Sequence, residues 1–229
     1  MTVGNSDNLY VAIAPAGMLT GLFRSGDGGT TFDTLDLPTT METDAGGTPV
    51  PQGIHPGGQA GIHMSIAADP NNANIAYIGG DRQPGANGDG AGGPPFPNSI
   101  GATNFSGRTF RVDASMPAGS QATPLSHIGT ANNTSTHADS RDMMFDASGL
   151  LLQSDDGGLY RRTSPQNATG DWFGLNASLQ TTEVHSADYD LNADILGGGF
   201  QDNSQANQSA TGNIPVSYTH LTLPTTPYV

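Results

Sequence analysis

Two neighbouring carboxylates at a glycine corner, Asp155 and Asp156 in Ser154-Asp155-Asp156-Gly157-Gly158-Leu159-Tyr160-Arg161, are the groups of this chain best placed to do chemistry. Short carboxylates at such a corner either meet a polar ligand or cap their own turn. His137-Ala138-Asp139 and His185 carry side chains a metal could use, but both lie where strands begin, and hydrogen bonding in the structure or at its rim is the expected role. Gln201-Asp202-Asn203 falls on the same type of turn as Asp155, where it binds a polar ligand or caps the corner. No metal ligand set is assigned and no cofactor is expected, although a few aspartates would suit calcium.

Other chemistries lack their residues. The chain has no cysteine, which removes disulfides, thiolate metal sites and cysteine nucleophiles. Sialidase chemistry needs three arginines clamping a carboxylate and a Tyr/Glu nucleophile pair, and no such arrangement is recognisable. A net charge of -14 argues against nucleic acid and anionic membranes as partners. No apolar run is long enough to cross a membrane, and Met1-Thr2-Val3-Gly4 does not open a signal peptide.

The elements that position these groups are short strands. The 229 residues hold 32 Gly and 16 Pro with only 34% apolar residues, and no long amphipathic run at helical spacing exists. Of 21 acidic residues all but Glu42 and Glu183 are Asp, the residue that caps tight corners. Three segments read as an inner strand, an Asp corner and a second strand: Ile62 to Gly80 around Asp69, Asp142 to Gln153 around Asp146, and Val184 to Gly199 around Asp190. The spacing from Asp146 to Asp190 fits one bare four-stranded repeat of roughly 40–50 residues, and that from Asp69 to Asp146 carries an insertion.

Gly21-Leu22-Phe23-Arg24 precedes Ser25-Gly26-Asp27-Gly28-Gly29-Thr30-Thr31-Phe32, which spells S-x-D-x-G-x-T-[FW] throughout, with Ser25, Asp27, Gly29, Thr31 and Phe32 in the structural slots. This hairpin resembles the Asp-box (BNR repeat) of sialidase-like, sortilin-like and xyloglucanase-like β-propellers. The stretch His137 to Asn203 resembles the sortilin-like and xyloglucanase-like members further, through S-D-D-G-G-L-Y-R, W-F-G-L-N-A-S-L and G-G-G-F-Q-D-N. The resemblance implies an all-β fold, a partial β-propeller of four-stranded antiparallel blades, with about three to four blades in residues 1–214. In xyloglucanase-like glycosidases D-x-G-G-x-Y-R carries a catalytic Asp, and Asp155 falls on it; a general base there needs a second carboxylate across the sugar.

Aligning Gly21-Leu22-Phe23-Arg24 with Gly158-Leu159-Tyr160-Arg161 separates the two glycine corners. With the four strands of a blade lettered A (innermost) to D (outermost), the Ser25–Phe32 corner follows its C strand, while Ser154–Gly158 precedes one and is a B-to-C turn. The later blade's matching slot, Arg162 to Gly170, keeps only an aromatic at Trp172. Successive turns of an antiparallel blade alternate faces, so B-to-C and D-to-A connections share one rim. The long segments Leu37 to Gly61 and Asp81 to Gly107 belong to that rim, where recognition loops gather. Its expected residues are Asp81, His137, Asp139, Asp156, Tyr160, Arg161, Gln201, Asp202 and Asn203.

The functional expectation is a non-catalytic binding or scaffold module of a secreted or surface bacterial protein, meeting a polysaccharide or protein ligand. A glycoside hydrolase fragment using Asp155 is the alternative, and assembly factors of photosynthetic complexes share the fold. Residues 215–229, P-V-S-Y-T-H-L-T-L-P-T-T-P-Y-V, resemble a translated sequencing adapter and are set aside, so further blades of a longer chain are expected partners of this one.

Overall fold

The computed structural model describes residues 1–4, 7–86, 95–177, 184–200, 204–208 and 215–218. The chain divides into two compact units, Met1–Leu179 and Gln180–Val229. In the first, β1 (Thr2–Val3), β2 (Leu9–Ile13), β3 (Gly21–Ser25) and β4 (Asp33–Thr34) form an antiparallel sheet in chain order. A separate hairpin, β5 (Thr40–Thr43) and β6 (Pro49–Gln52), follows. The second sheet is β7 (Ser65–Ala68), β8 (Ile75–Arg82), β9 (Gly107–Asp113) and β10 (Ala122–Pro124), and the third is β11 (Asp142–Phe145), β12 (Leu151–Asp155), β13 (Gly158–Arg162) and β14 (Trp172–Gly174). The second unit holds a fourth sheet of the same order: β15 (Val184–Asp190), β16 (Ile195–Phe200), β17 (Ser204–Gln208) and β18 (Pro215–Tyr218). Sequential four-stranded antiparallel sheets of this kind are propeller blades, and the protein is an all-β partial propeller. Among the described residues no helix is long and apolar enough to cross a membrane.

Within the first unit the innermost strands are neighbours, β1 beside β7 and β7 beside β11. Strand alternation explains how the middle blade binds to both sides. Side chains of β8 point alternately to opposite faces: Ala76 and Ile78 join Tyr10, Leu22, Ile54, Phe110 and Val112 in one core. Ile75 and Tyr77 join Leu125, Met143, Leu151 and Trp172 in the other. Both faces of β8 are therefore dry, and burying a side chain such as Ile78 or Tyr77 contributes about 2–3 kcal/mol. Tyr77 meets Phe145 edge to face at 5.6 Å, and Trp172 Nε1 donates to Leu125 O at 2.8 Å.

The Asp corners close as their residue types dictate. Asp69 Oδ1 accepts from the amides of Asn71 and Asn72, Asp146 Oδ1 from Ser148 and Leu150, and Asp190 Oδ1 from Asn192 and Ala193. At the Ser25–Phe32 corner, Asp27 Oδ1 accepts from the amides of Thr30 and Thr31 at 2.9 Å, Asp27 Oδ2 accepts from Thr31 Oγ1, and Ser25 Oγ accepts from Gly29 N. These bonds hold the Asp27 carboxyl well below the usual carboxylate range. The corner joins β3 to β4, and Phe32 remains half exposed.

The segment Leu37 to Gly61 carries structure that Pro49 and Pro51 conceal, the β5–β6 hairpin. Arg108 pins it from β9. Its guanidinium is fully buried and donates to Gly53 O, Gln52 O, Thr40 Oγ1 and Gln83 Oε1 at 2.6–2.9 Å, with Phe110 beneath at 5.2 Å. Pro215–Tyr218, within the segment set aside on sequence grounds, pairs with β17.

Candidate functional site

The rim formed by B-to-C and D-to-A connections is built from the ends of β8 and β12. Counted through the pairings of β7 with β8 and β11 with β12, Asp81 and Asp156 occupy the same place in successive blades. Gly80, just before Asp81, has no room for a side chain: a Cβ there would lie 1.9 Å from Ile54 O. The D-to-A connection thus lies directly on the strand end, with Asp81 N donating to Ile54 O at 3.1 Å. The buried Asp81 carboxylate accepts from the amides of Gly57, Gln59 and Arg82. Burial pushes its carboxyl up despite those bonds, and the Asp139 charge adds to the shift.

That anchoring sets two histidines in place. His55 Nδ1 accepts from Leu19 N at 3.3 Å, and its Nε2 donates to His63 O at 3.0 Å. Burial pushes this imidazole down to about 4, so it is neutral. His63 is itself fully buried, its Nδ1 lies 2.5 Å from Asp139 Oδ1, and its Nε2 has no hydrogen-bond partner among the described residues. Asp139 reaches across because its backbone is left-handed, at φ 70°, with its amide on Asp81 O and the next amide, of Ser140, on Gly80 O. Asp is among the few residues that tolerate this conformation.

On the third blade, Asp155 Oδ1 accepts from Gly157 N at 3.0 Å and Oδ2 from Gln153 Nε2 at 3.3 Å. Burial dominates, and pushes its carboxyl up to about 8. Asp156 instead pairs with Arg141, whose Nε and Nη2 stand 2.9 and 2.8 Å from its Oδ1. Gly157 is required by its neighbour: a Cβ would sit 2.5 Å from His137 Cβ and 2.8 Å from Tyr160 Oη. Burial raises the Tyr160 phenol, and the Asp155 charge adds to it. His137 stacks on Phe105 with ring centres 6.4 Å apart and planes within 12°, and Phe105 is 53% exposed.

His137 and Asp139 therefore do not act as a pair: one faces Phe105, the other His63. Asp139 is joined to Asp81 by a backbone hydrogen bond and by like charge, and Asp156 acts on its neighbour Asp155 as a like charge. Tyr160 lies at the corner, whereas Arg161 sits within the sheet opposite Leu152 and Phe173. Gln201, Asp202 and Asn203 lie outside the described residues. His55, His63 and Phe105 escape sequence reasoning; the two histidines stand in a D-to-A connection without a motif, and Phe105 ends a glycine- and proline-rich insertion.

No family model matches the chain, and no curated protein matches it. Similar solved structures are β-propellers. One is a protein provisionally assigned as a gluconolactonase, with 11% identity and TM-score 0.35, covering 90% of this chain and 58% of that one. The Dos1 propeller has 13% identity and TM-score 0.30, covering 96% of this chain and 60% of its own. YCF48 bound to a D1 peptide has 13% identity and TM-score 0.22, covering 95% and 68% respectively. The chain thus spans about three-fifths of the first two.

Proposed function

We propose that the chain is a non-catalytic binding or scaffold module of a secreted or surface bacterial protein, an Asp-box propeller of the sortilin-like and xyloglucanase-like kind. The observation that carries this reading is the exposed Phe105 ring stacked on His137 beside the Asp155–Gly157 corner. An apolar plate edged by carboxylates and a phenol is the surface a polysaccharide chain fits, stacking sugar faces on the ring and donating hydroxyls to the acids. Asp155 supports the same reading, because its oxygens are already used by Gly157 and Gln153 in closing the corner.

A glycoside hydrolase is the second reading, favoured by one fact. A carboxyl raised to about 8 keeps its proton at neutral pH and suits a general acid, rather than the general base that the sequence pattern suggests. One experiment separates the two: titrate the chain and its Phe105→Ala and Asp155→Asn variants with soluble polysaccharides, while assaying for new reducing ends. A binding module loses affinity with Phe105→Ala and releases no reducing ends. Hydrolysis that disappears in a folded Asp155→Asn variant establishes the enzyme instead.

A further inference from the structure

We propose that the free face of the third blade docks on the free face of the first blade of a second copy, so that the chain self-associates head to tail. The two blade junctions within the first unit show what such a face is built to meet. Each blade turns one side of its sheet towards the next, and that side carries a C-strand arginine at a fixed slot. Tyr10 and Arg24, paired across β2 and β3, face the second blade. There Tyr10 Oη and Arg24 Nε both donate to Ala73 O, at the A-to-B corner, at 2.8 and 3.1 Å. Tyr77 and Arg111, paired across β8 and β9, are turned towards the third blade, where Tyr77 packs with Met143 and Leu151. The third blade repeats the slot with Leu152 and Arg161 across β12 and β13, in line with Met144 and Phe173. Its side is open: Met144 is 58% and Phe173 49% exposed, and Leu159 and Leu175 on the same side are each 39% exposed. Contiguous exposed apolar patches of this kind mark interaction sites.

The first blade presents the complementary side. Val3, Leu9, Val11 and Phe23 alternate with the buried Tyr10 and Leu22, so they lie on the opposite face of the sheet, with Ile13 at its edge. Val3 is 61% and Ile13 48% exposed. The corresponding side of the second blade, with Ile66, Ile78, Phe110 and Val112, is the one that takes up Tyr10 and Leu22. The three-blade unit therefore ends in one open face of each kind, and each is the half that the other lacks. Charge fits as well. Asp7 precedes Tyr10 by three residues as Asn74 precedes Tyr77, so it stands next to the slot of Ala73, where the neighbour's arginine arrives. Asp7 is exposed, and Arg161 of a docked copy meets a carboxylate there instead of an amide. Head-to-tail contacts close on themselves when the rotation per copy completes a turn. Two three-blade units supply six blades, within the four to eight that a propeller ring holds.

The test is sedimentation equilibrium of the 229-residue chain over a range of concentrations, with one apolar residue on each face replaced in turn. The wild-type chain should reach twice the monomer mass. Ile13→Asp and Phe173→Asp, both at half-exposed positions, should each be monomeric with circular dichroism unchanged. An equimolar mixture of these two variants should form a one-to-one complex weaker than the wild-type dimer, because one intact pair of faces survives. Asp7→Asn keeps the left-handed backbone of Asp7, at φ 58°, and should weaken the dimer about two- to fivefold. A wild-type chain that stays monomeric at every concentration overturns the proposal without any variant. It is equally overturned if a folded variant altered on one face dimerises as tightly as wild type, or if the mixture of monomeric variants forms no complex.

Discussion

His63 Nδ1 and Asp139 Oδ1 stand 2.5 Å apart although the two residues belong to connections of different blades. This bond ties the second blade to the third at the rim, next to the buried Oγ pair of Ser65 and Ser140 at 2.6 Å. Replacing Asp139 with Ala leaves both nitrogens of a buried imidazole without a partner. The expected loss is about 2–3 kcal/mol in urea unfolding with an unchanged m-value. Asp139→Asn tolerates the same left-handed backbone and keeps an acceptor oxygen, and should lose less; equal losses from the two would show that the carboxylate charge, not the backbone or a neutral hydrogen bond, governs this position.

Arg108 offers a larger effect. Truncation to Ala removes a buried guanidinium and strands the carbonyls of Gln52 and Gly53, with an expected cost of about 3–5 kcal/mol. Arg108→Lys should recover little, since a point charge cannot serve four acceptors spread around a planar fork. Hydrogen exchange should localise the damage to Thr40–Gln52; uniform loss of protection across all blades would contradict a role in pinning that hairpin.

The alkaline limb of stability should report Tyr10. Its hydroxyl donates to Ala73 O at 2.8 Å, and burial pushes the phenol up to about 12 from 10. Below pH 10 both folded and unfolded chains keep the proton and the contribution is complete. Between pH 10 and about 12 the unfolded chain ionises first, so stability falls as pH rises. Tyr77, which donates to Asp69, is raised further and acts in the same direction. Tyr10→Phe should lose about 1 kcal/mol at neutral pH and flatten part of the decline; an alkaline limb identical to wild type would refute the assignment.

Gly157→Ala should disturb the rim more than the fold. The added methyl meets His137 Cβ and Tyr160 Oη, and displacing them should cost about 1–3 kcal/mol. Because His137 carries Phe105, polysaccharide affinity should drop beyond what the stability loss explains. A variant that melts lower yet binds as wild type would detach the Phe105–His137 plate from recognition.

What the sequence made legible is what neighbours in sequence decide. Asp69, Asp146 and Asp190 bond amides two to four residues on, so the residue order alone places all three corners. The register that puts Asp155 and Asp156 before a C strand has the same local origin. The partnership of His63 with Asp139 is different in kind: it depends on how two blades sit together, and nothing in either local stretch announces it. The β5–β6 hairpin is obscured likewise, since Pro49 and Pro51 break the strand pattern and Arg108, far along the chain, holds it.

The self-contained Asp corners also bear on how such a chain folds and grows. Each inner hairpin closes with donors and acceptors from its own few residues, so its contacts are of low contact order and can form before any blade meets the next. A gene encoding such units can gain or lose one by duplication without rewriting any corner. Cross-blade pairs such as His63 and Asp139 are then the late-forming contacts, and the ones that evolution can rewire to give one repeat a role its copies lack.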